Sequence, residues 1–242
     1  MKYELETIPV WEALKSGSEC LLCDLMRASE THAVAYYLGS SVMHPETRVE
    51  VNRSGFCPAH WNKLAKAGKP QALGLIAHTY LQETRRQLEA QFSAIGPTKE
   101  GRPLAHQRLK INTVLEKRES GCLVCSQMEK RLQRYAYTTV KLWCDDADFR
   151  HAFDHGKGVC LHHMPILLEM AEGILGKLQA KAFSVALIQT VEVNLKRLED
   201  EVLWMTQKYK AENQDKSWNG CEDAHKRVVS KLIGAGRVID PV

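Results

Sequence analysis

The sequence lacks several features that mark specialised classes of protein. Aromatic residues are 7% of the chain, and only 15 of 242 residues are Gly and 8 are Pro, which excludes collagen-like and low-complexity proteins. The most apolar stretches, such as residues 182–188, are far shorter than the roughly 18–20 residues that span a bilayer. The first residues also lack the cationic and apolar segments of a secretion signal. We therefore expect a cytoplasmic protein without membrane association.

Strong charge of one sign and known catalytic motifs are also missing. The 33 basic and 29 acidic residues give a net charge of +4, well below what an obligate nucleic-acid-binding protein needs. The chain contains no GxSxG motif, no Gly-rich phosphate loop and no HExxH motif. With 44% hydrophobic residues the chain can bury a sizeable core. These features favour a binding protein over an enzyme.

Cysteine is abundant and follows a repeated pattern. Six of the eight cysteines form two copies of a CxxC pair followed by a CxxH pair. The first copy is Cys20, Cys23, Cys57 and His60, and the second is Cys122, Cys125, Cys160 and His163. In a reducing compartment, clustered cysteines indicate metal binding or redox chemistry more often than disulfides.

The flanking residues of the two copies match as well. Gly55 and Gly158 each lie two residues before the third cysteine, and Leu64 and Leu167 each lie four residues after the histidine. The sequence therefore predicts an internal duplication. We expect a first module over residues 1–94, a linker over 95–107, a second module over 108–212, and a C-terminal tail with a short amphipathic helix over 213–242.

Helical periodicity dominates the chain, and no segment has the alternation of a strand. Predicted helices follow Cys23 to about Leu38, Pro45 to Ser54, Pro58 to about Lys66, and 71 to about 92. The second copy repeats this order with helices over about 126–143, 146–155, from near Cys160, and 174–210 with an interruption near Gly176. The expected fold is all-α, with two tandem helical modules, each organised around a Cys3His metal site, and long amphipathic helices.

The ligand types point to zinc. Three thiolates and one imidazole supply the four ligands of a closed tetrahedral zinc site, whereas a catalytic zinc ion keeps one coordination position open. The sequence order predicts that each copy forms its own site, the first from Cys20, Cys23, Cys57 and His60. The second would then use Cys122, Cys125, Cys160 and His163, giving two zinc ions per chain. Basic residues near these ligands are expected to offset the negative charge of each site: Arg53, Lys63, Lys117, Arg118 and Lys157.

Alternatives remain open at this point. The same cysteines also suit an iron–sulfur cluster or a thiol-redox function. His162 is adjacent to His163, but the spacing favours His163 as the ligand. Cys144 has no counterpart in the first copy and is expected to pack in the core, and Cys221 with His225 offers too few partners for a metal site.

Two features of the sequence point to partners. The long helices over 71–92 and 174–210 offer surfaces for a protein partner or a second copy of the chain. A basic run of Lys130, Arg131 and Arg134 with Tyr135 and Tyr137 would suit a nucleic acid, although a solvated helix face explains it more simply.

The two segments SGFCPAHWNKL and GKGVCLHHMPILL, together with the duplicated CxxC pairs, carry a resemblance to a known family. The chain resembles an uncharacterised family of helical bacterial proteins that carries a domain of unknown function. The resemblance extends over nearly the whole chain. It implies a helical fold and the eight-ligand pattern, and no activity.

Overall fold

The structure is a computed structural model that describes residues 6–95 and 104–235. Within these residues the fold is all-α, as predicted, and contains no strand. The helices are α1 (Thr7–Lys15), α2 (Leu21–Tyr37), α3 (Pro45–Ser54), α4 (Pro58–Lys66), α5 (Pro70–Ile95), α6 (Leu104–Glu119), α7 (Leu123–Asp145), α8 (Ala147–Asp154), α9 (Met164–Ile174), α10 (Lys177–Gln207) and α11 (Ala224–Ile233). Two short 3₁₀ helices cover Ser40–Met43 and Ala211–Asn213.

The chain forms two compact units that do not follow the order of the sequence copies. Unit one comprises Met1–Ala28 and Lys130–Val242, and unit two comprises Ser29–Glu129. Both boundaries between the units fall inside helices, one within α2 and the other within α7. The units therefore differ from the predicted modules over 1–94 and 108–212.

Most helix boundaries follow local sequence signals. Pro45 and Pro58 stand at the first position of α3 and α4, where a missing amide hydrogen costs nothing. The Asp146 side chain caps α8 by accepting hydrogen bonds from the amides of Asp148 and Phe149. The predicted interruption near Gly176 is present, because α9 ends at Ile174 and α10 begins at Lys177.

Two helices were not predicted from the sequence. One is α1, and the other is α6, whose first residues lie within the predicted linker over 95–107. The remainder of that linker, residues 96–103, lies outside the described residues, as do the last residues of the predicted C-terminal tail.

Each unit has its own apolar core. In unit one, Phe183 of α10 packs against Trp143 of α7, with the ring centroids 5.3 Å apart, and Trp11 of α1 meets Phe149 of α8 at 5.1 Å. Three cysteines of the repeated motif, Cys20, Cys23 and Cys160, are buried members of this core.

In unit two, four aromatic rings form a continuous series of edge-to-face contacts. Tyr37 meets Phe56 at 5.1 Å, Phe56 meets Trp61 at 5.1 Å, and Trp61 meets Tyr80 at 5.3 Å. These contacts join α2 and α5 to the segment around Cys57, because Phe56 and Trp61 flank the CxxH pair.

Although α5, α7 and α10 are long enough to cross a bilayer, no helix among the described residues combines that length with sufficient apolar character.

Candidate metal centres

Unit one brings together four ligand-type side chains, which we name the unit-one cluster: Cys20, Cys23, Cys160 and His163. The Nδ1 atom of His163 lies 3.3, 3.5 and 3.4 Å from the sulfurs of Cys20, Cys23 and Cys160. The Cys23 and Cys160 sulfurs are 3.8 Å apart. All four residues are buried, with Cys160 fully inaccessible.

Unit two contains a second group of the same composition, the unit-two cluster: Cys57, His60, Cys122 and Cys125. The Nδ1 atom of His60 lies 3.2, 3.2 and 3.4 Å from the sulfurs of Cys57, Cys122 and Cys125. The Cys57 and Cys125 sulfurs are 3.9 Å apart. This cluster is closer to the surface, because Cys57 is half-buried and Cys125 is exposed.

These spacings match the edges of a tetrahedron around one ion. With metal–sulfur bonds of about 2.3 Å and metal–nitrogen bonds of about 2.0 Å, the edges would be about 3.8 Å between sulfurs and about 3.5 Å between sulfur and nitrogen. In both clusters every ligand atom lies within 4.8 Å of the others. Two Cys3His groups in the structure could therefore hold metal ions.

The sequence-based assignment of ligands to sites is wrong. Cys20 and Cys23 were expected to join Cys57 and His60, but they meet Cys160 and His163 of the second copy. Likewise, the CxxC pair of the second copy, Cys122 and Cys125, meets the CxxH pair of the first. The two copies have thus exchanged their CxxH pairs.

The physical reason for this exchange lies in unit two. For Cys57 and His60 to join Cys20 and Cys23, the chain after α2 would have to return along that helix to its start. Instead, Phe56 packs on Tyr37 near the end of α2, which holds the following CxxH pair there. The residue of α2 that contacts His60 is Glu30, which belongs to unit two and lies seven positions after Cys23 in the sequence.

Helix starts position the CxxC pairs. The backbone amides of Cys23 and Cys125 each donate a hydrogen bond of 3.4 Å to the sulfur of the first cysteine of their pair, in the first turns of α2 and α7. The partial positive charge of a helix N-terminus stabilises a thiolate in this position.

A matching backbone contact joins the two loops of each cluster. The Leu21 amide donates to the Gly158 carbonyl at 3.3 Å, and the Leu123 amide donates to the Gly55 carbonyl at 3.1 Å. Both glycines have positive φ, +64° for Gly158 and +62° for Gly55. Glycine adopts this conformation without the strain that a side chain would add.

The two histidines differ in their surroundings. The Nε2 atom of His60 lies 2.9 Å from Glu30, which also accepts a 2.7 Å hydrogen bond from Lys63. A carboxylate behind a histidine ligand fixes its orientation and increases its basicity. In the other copy, Leu132 occupies the position seven residues after the second cysteine, and it belongs to the apolar core of unit one.

Each unit contains a buried cation. Lys231 of α11 is fully buried, and its Nζ donates to the carbonyls of Glu19 and Lys157, one in each loop of the unit-one cluster. Arg118 is buried in unit two and donates to the Asn52 carbonyl at 3.1 Å. Arg118 was among the predicted neighbours, but Lys231 was missed.

A sequence signal for Lys231 was present in the periodicity of α11. The spacing of 224, 228 and 231 places Lys231 on the apolar face of this helix. The residues that follow Lys231 also cover the unit-one cluster. A Cβ at Gly234 would lie 3.6 Å from the Cys160 sulfur and 3.7 Å from the Cys23 sulfur.

The ligand side chains shift one another's protonation in the unit-two cluster. Burial opposes a charged imidazole, but hydrogen bonds to Cys122 and Glu30 outweigh it and raise the pKa of His60 to about 10. Burial likewise opposes a Cys122 thiolate, but the hydrogen bond from His60 and those from the backbone amides of Cys125 and Cys57 together outweigh it and lower the pKa of Cys122 to about 6. The Cys125 residue is exposed as a whole, yet its sulfur is partly enclosed by the other ligands. This desolvation and the nearby Cys122 raise the pKa of Cys125 to about 12.

In the unit-one cluster the same interactions act at greater depth. Burial opposes the charge on His163, but hydrogen bonds to Cys160 and Cys23 raise its pKa to about 9. Hydrogen bonds from Cys20 and Cys23 hold the pKa of Cys160 well below its usual value, and burial raises that of Cys20.

The remaining candidates lie outside both clusters. His163, and not the adjacent His162, supplies the ring nitrogen of the unit-one cluster. Cys144 is partly buried against the core of unit one, and the Cys221 thiol donates to the Asn219 carbonyl at 3.7 Å. Neither Cys221 nor His225 belongs to a metal-type cluster within the described residues.

The basic run of α7 is partly occupied by contacts within unit one. Arg134 pairs with Glu6 at 2.6 Å, and Tyr135 is buried in the core of the unit. Tyr135 is therefore not free to stack on a base.

Comparison with known proteins places the chain in a family. The profile of the family of unknown function DUF6062 matches residues 1–238, and the chain belongs to this family. No curated protein and no solved structure matches the chain.

The close approach of the two loops in unit two yields a prediction. A Cβ at Gly121 would lie 2.4 Å from the Ser54 carbonyl oxygen, so we expect Gly121→Ala to displace one loop and lower the free energy of unfolding by about 1–3 kcal/mol. Gly74→Ala in α5 is the matched control, because no atom lies within 4 Å of the added Cβ. Alanine in place of glycine inside a helix should raise the free energy of unfolding by about 0.5–1 kcal/mol. Urea unfolding of both variants measures the difference, and equal stability would contradict the proposed crowding.

The pKa shifts predict proton release when a divalent ion binds. Near pH 7, His60 with a pKa of about 10 and Cys125 with a pKa of about 12 both carry protons in the metal-free cluster. Coordination removes these protons, so the affinity of this cluster should fall as the pH falls, by about tenfold per pH unit for each proton released. Calorimetry of the metal-free protein in two buffers of different protonation enthalpy counts the protons. A heat independent of buffer would contradict the prediction.

Proposed function

We propose that each cluster binds one zinc ion in a closed structural site, and that the protein serves as an interaction or scaffold protein. The observation that carries the zinc assignment is the tetrahedral spacing of three sulfurs and one imidazole nitrogen in both units. Three thiolates and one imidazole match the ligand set and coordination number of structural zinc.

The charge balance supports a structural site. A divalent ion with three thiolates carries a net charge of −1, and such a charge in a protein interior needs a nearby cation. Lys231 provides such a cation beside the two loops of the unit-one cluster. Four protein ligands leave no position for a substrate, which favours a structural over a catalytic ion.

An iron–sulfur cluster is the main alternative for the same ligands. Such a cluster contains several iron atoms and holds its ligands farther apart than a single ion does. The confinement of all ligand atoms within 4.8 Å favours a single ion. Elemental analysis with an optical spectrum separates the two, because zinc protein is colourless and a cluster absorbs broadly near about 400 nm.

The exchanged pairing gives a direct test of both sites. Loss of one ligand should abolish tight binding at its cluster, so Cys20→Ser with Cys160→Ser should retain about one zinc ion per chain. Cys20→Ser with Cys57→Ser should retain none, because these two cysteines belong to different clusters. Wild-type protein should contain about two ions, and chelation should lower its helicity.

Metal analysis of purified protein provides the measurement for this test. If the first double variant lost both ions and the second kept one, the ligands would pair within each sequence copy. Wild-type protein free of metal after purification under reducing conditions would refute the zinc assignment itself.

Glu30 should affect only one of the two sites. Glu30→Gln removes the carboxylate behind His60, so we expect the unit-two cluster to bind zinc about 10–100-fold more weakly while the other ion stays unchanged. Glu89→Gln makes the same charge change at an exposed position of α5 and serves as the control. Competition with a chromogenic chelator resolves the two ions, and equal weakening of both would contradict a role specific to Glu30.

Exposed apolar residues support the interaction role. On α10, Leu178, Val185 and Ile188 are 87%, 55% and 49% exposed, and their spacing places them on one helix face. On α5, Leu81 and Phe92 are also exposed. These residues lie on the two long helices that the sequence singled out as surfaces for a partner or a second copy.

Light scattering of the zinc-loaded chain tests whether a second copy binds this face of α10. We expect a mass above 27.4 kDa for the wild type, and a shift toward the monomer when Val185→Glu and Ile188→Glu are combined. Both changes add charge to an apolar contact without touching a metal ligand. A wild-type mass of one chain would exclude self-association through this face.

A further inference from the structure

A cleft of about 360 Å³ lies in unit two, where α3, α5 and α6 meet. Its polar lining is formed by Asn52, Arg53, Glu83, Gln87, Lys117 and Arg118. None of the metal-type ligands lines this cleft, and the zinc proposal gives it no role.

The cleft carries an excess of positive charge. Three of the lining side chains are cations and one is a carboxylate. That carboxylate, Glu83, is already engaged, since it accepts hydrogen bonds of 2.7 Å from both Arg86 and Gln87. Within residues 6–95 and 104–235, neither Arg53 nor Lys117 makes an ion pair.

Arg118 is the fixed part of this cleft. Its side chain is only 6% exposed, and its guanidinium stacks on the Tyr80 ring at 3.9 Å. All its hydrogen-bond acceptors are neutral: the carbonyls of Asn52 and Tyr80 and the amide of Gln87. The Nε atom is buried and has no partner among the described residues.

A buried guanidinium whose hydrogen-bond acceptors are all neutral is costly, so this arrangement favours an anion. Cations near helix C-terminal ends also stabilise the helix dipole, which explains why such residues end α3 and α6. The dipole does not explain why residues of two separate helices share one cleft.

The unit-two cluster explains that convergence. Arg53 lies four residues before Cys57, and Arg118 lies four residues before Cys122. Because both cysteines belong to one cluster, the ends of α3 and α6 are held side by side.

We propose that this cleft binds a small molecule bearing a phosphate group. Arg118 supplies a preorganised donor in the wall, and Arg53 and Lys117 supply exposed charges from the two helix ends. Guanidinium groups match phosphate oxygens in geometry as well as charge. The volume admits a phosphate with a small organic group and not the backbone of a duplex.

The test is calorimetric titration of the metal-loaded full chain with inorganic phosphate and with glycerol 3-phosphate. The variant combines Arg53→Gln with Lys117→Gln and leaves the buried Arg118 in place. Its control combines Lys66→Gln with Arg85→Gln, which removes the same charge from exposed positions of unit two outside the cleft. The metal content of each protein is measured in parallel.

We expect saturable binding at one site, weakened about tenfold or more in the cleft variant and changed less than about twofold in the control. An absence of saturable binding, or equal weakening in both variants, would overturn the proposal. A short single-stranded oligonucleotide that binds tightly and is not displaced by phosphate would also overturn it, in favour of a nucleic acid. If both metal ions are retained in all these proteins, any such failure concerns the cleft alone and leaves the zinc proposal standing.

Discussion

The convergence of three sulfurs and one imidazole nitrogen is the constraint on which each unit depends. In unit one it joins the start of α2 to a loop that follows about 140 residues later, between α8 and α9. A hydrogen bond between the Leu21 amide and the Gly158 carbonyl reinforces this junction, and the Leu123 amide and the Gly55 carbonyl do the same in unit two. Helix starts, loop conformations and buried cations are all arranged around these two junctions.

The two clusters share a ligand set but lie in different environments. The unit-one cluster is part of an apolar core, beneath the end of α11. The unit-two cluster has an exposed cysteine and a carboxylate behind its histidine. Burial limits the exchange of a bound ion and chemical attack on the cysteine thiols, whereas exposure permits both. One chain therefore contains a protected site and an accessible one.

Buried charge links the clusters to the rest of their units. Lys231 is far from the motifs in sequence, yet its ammonium group holds the two loops of the unit-one cluster by their carbonyls. Arg118 connects the loop region of unit two to Tyr80 of α5 and lines the cleft described above. A change at Lys231 would therefore alter the geometry of the unit-one cluster without removing a ligand.

The sequence by itself determined the all-α fold, most helix boundaries and the eight side chains that form the two clusters, because helical periodicity and cysteine spacing are local properties. Proline at the start of α3 and α4 and the break near Gly176 are local signals of the same kind. Only the tertiary structure decided which CxxC pair meets which CxxH pair. That choice depends on where aromatic packing, such as Phe56 on Tyr37, stops the chain from returning along α2, and two equivalent motifs contain no information about it.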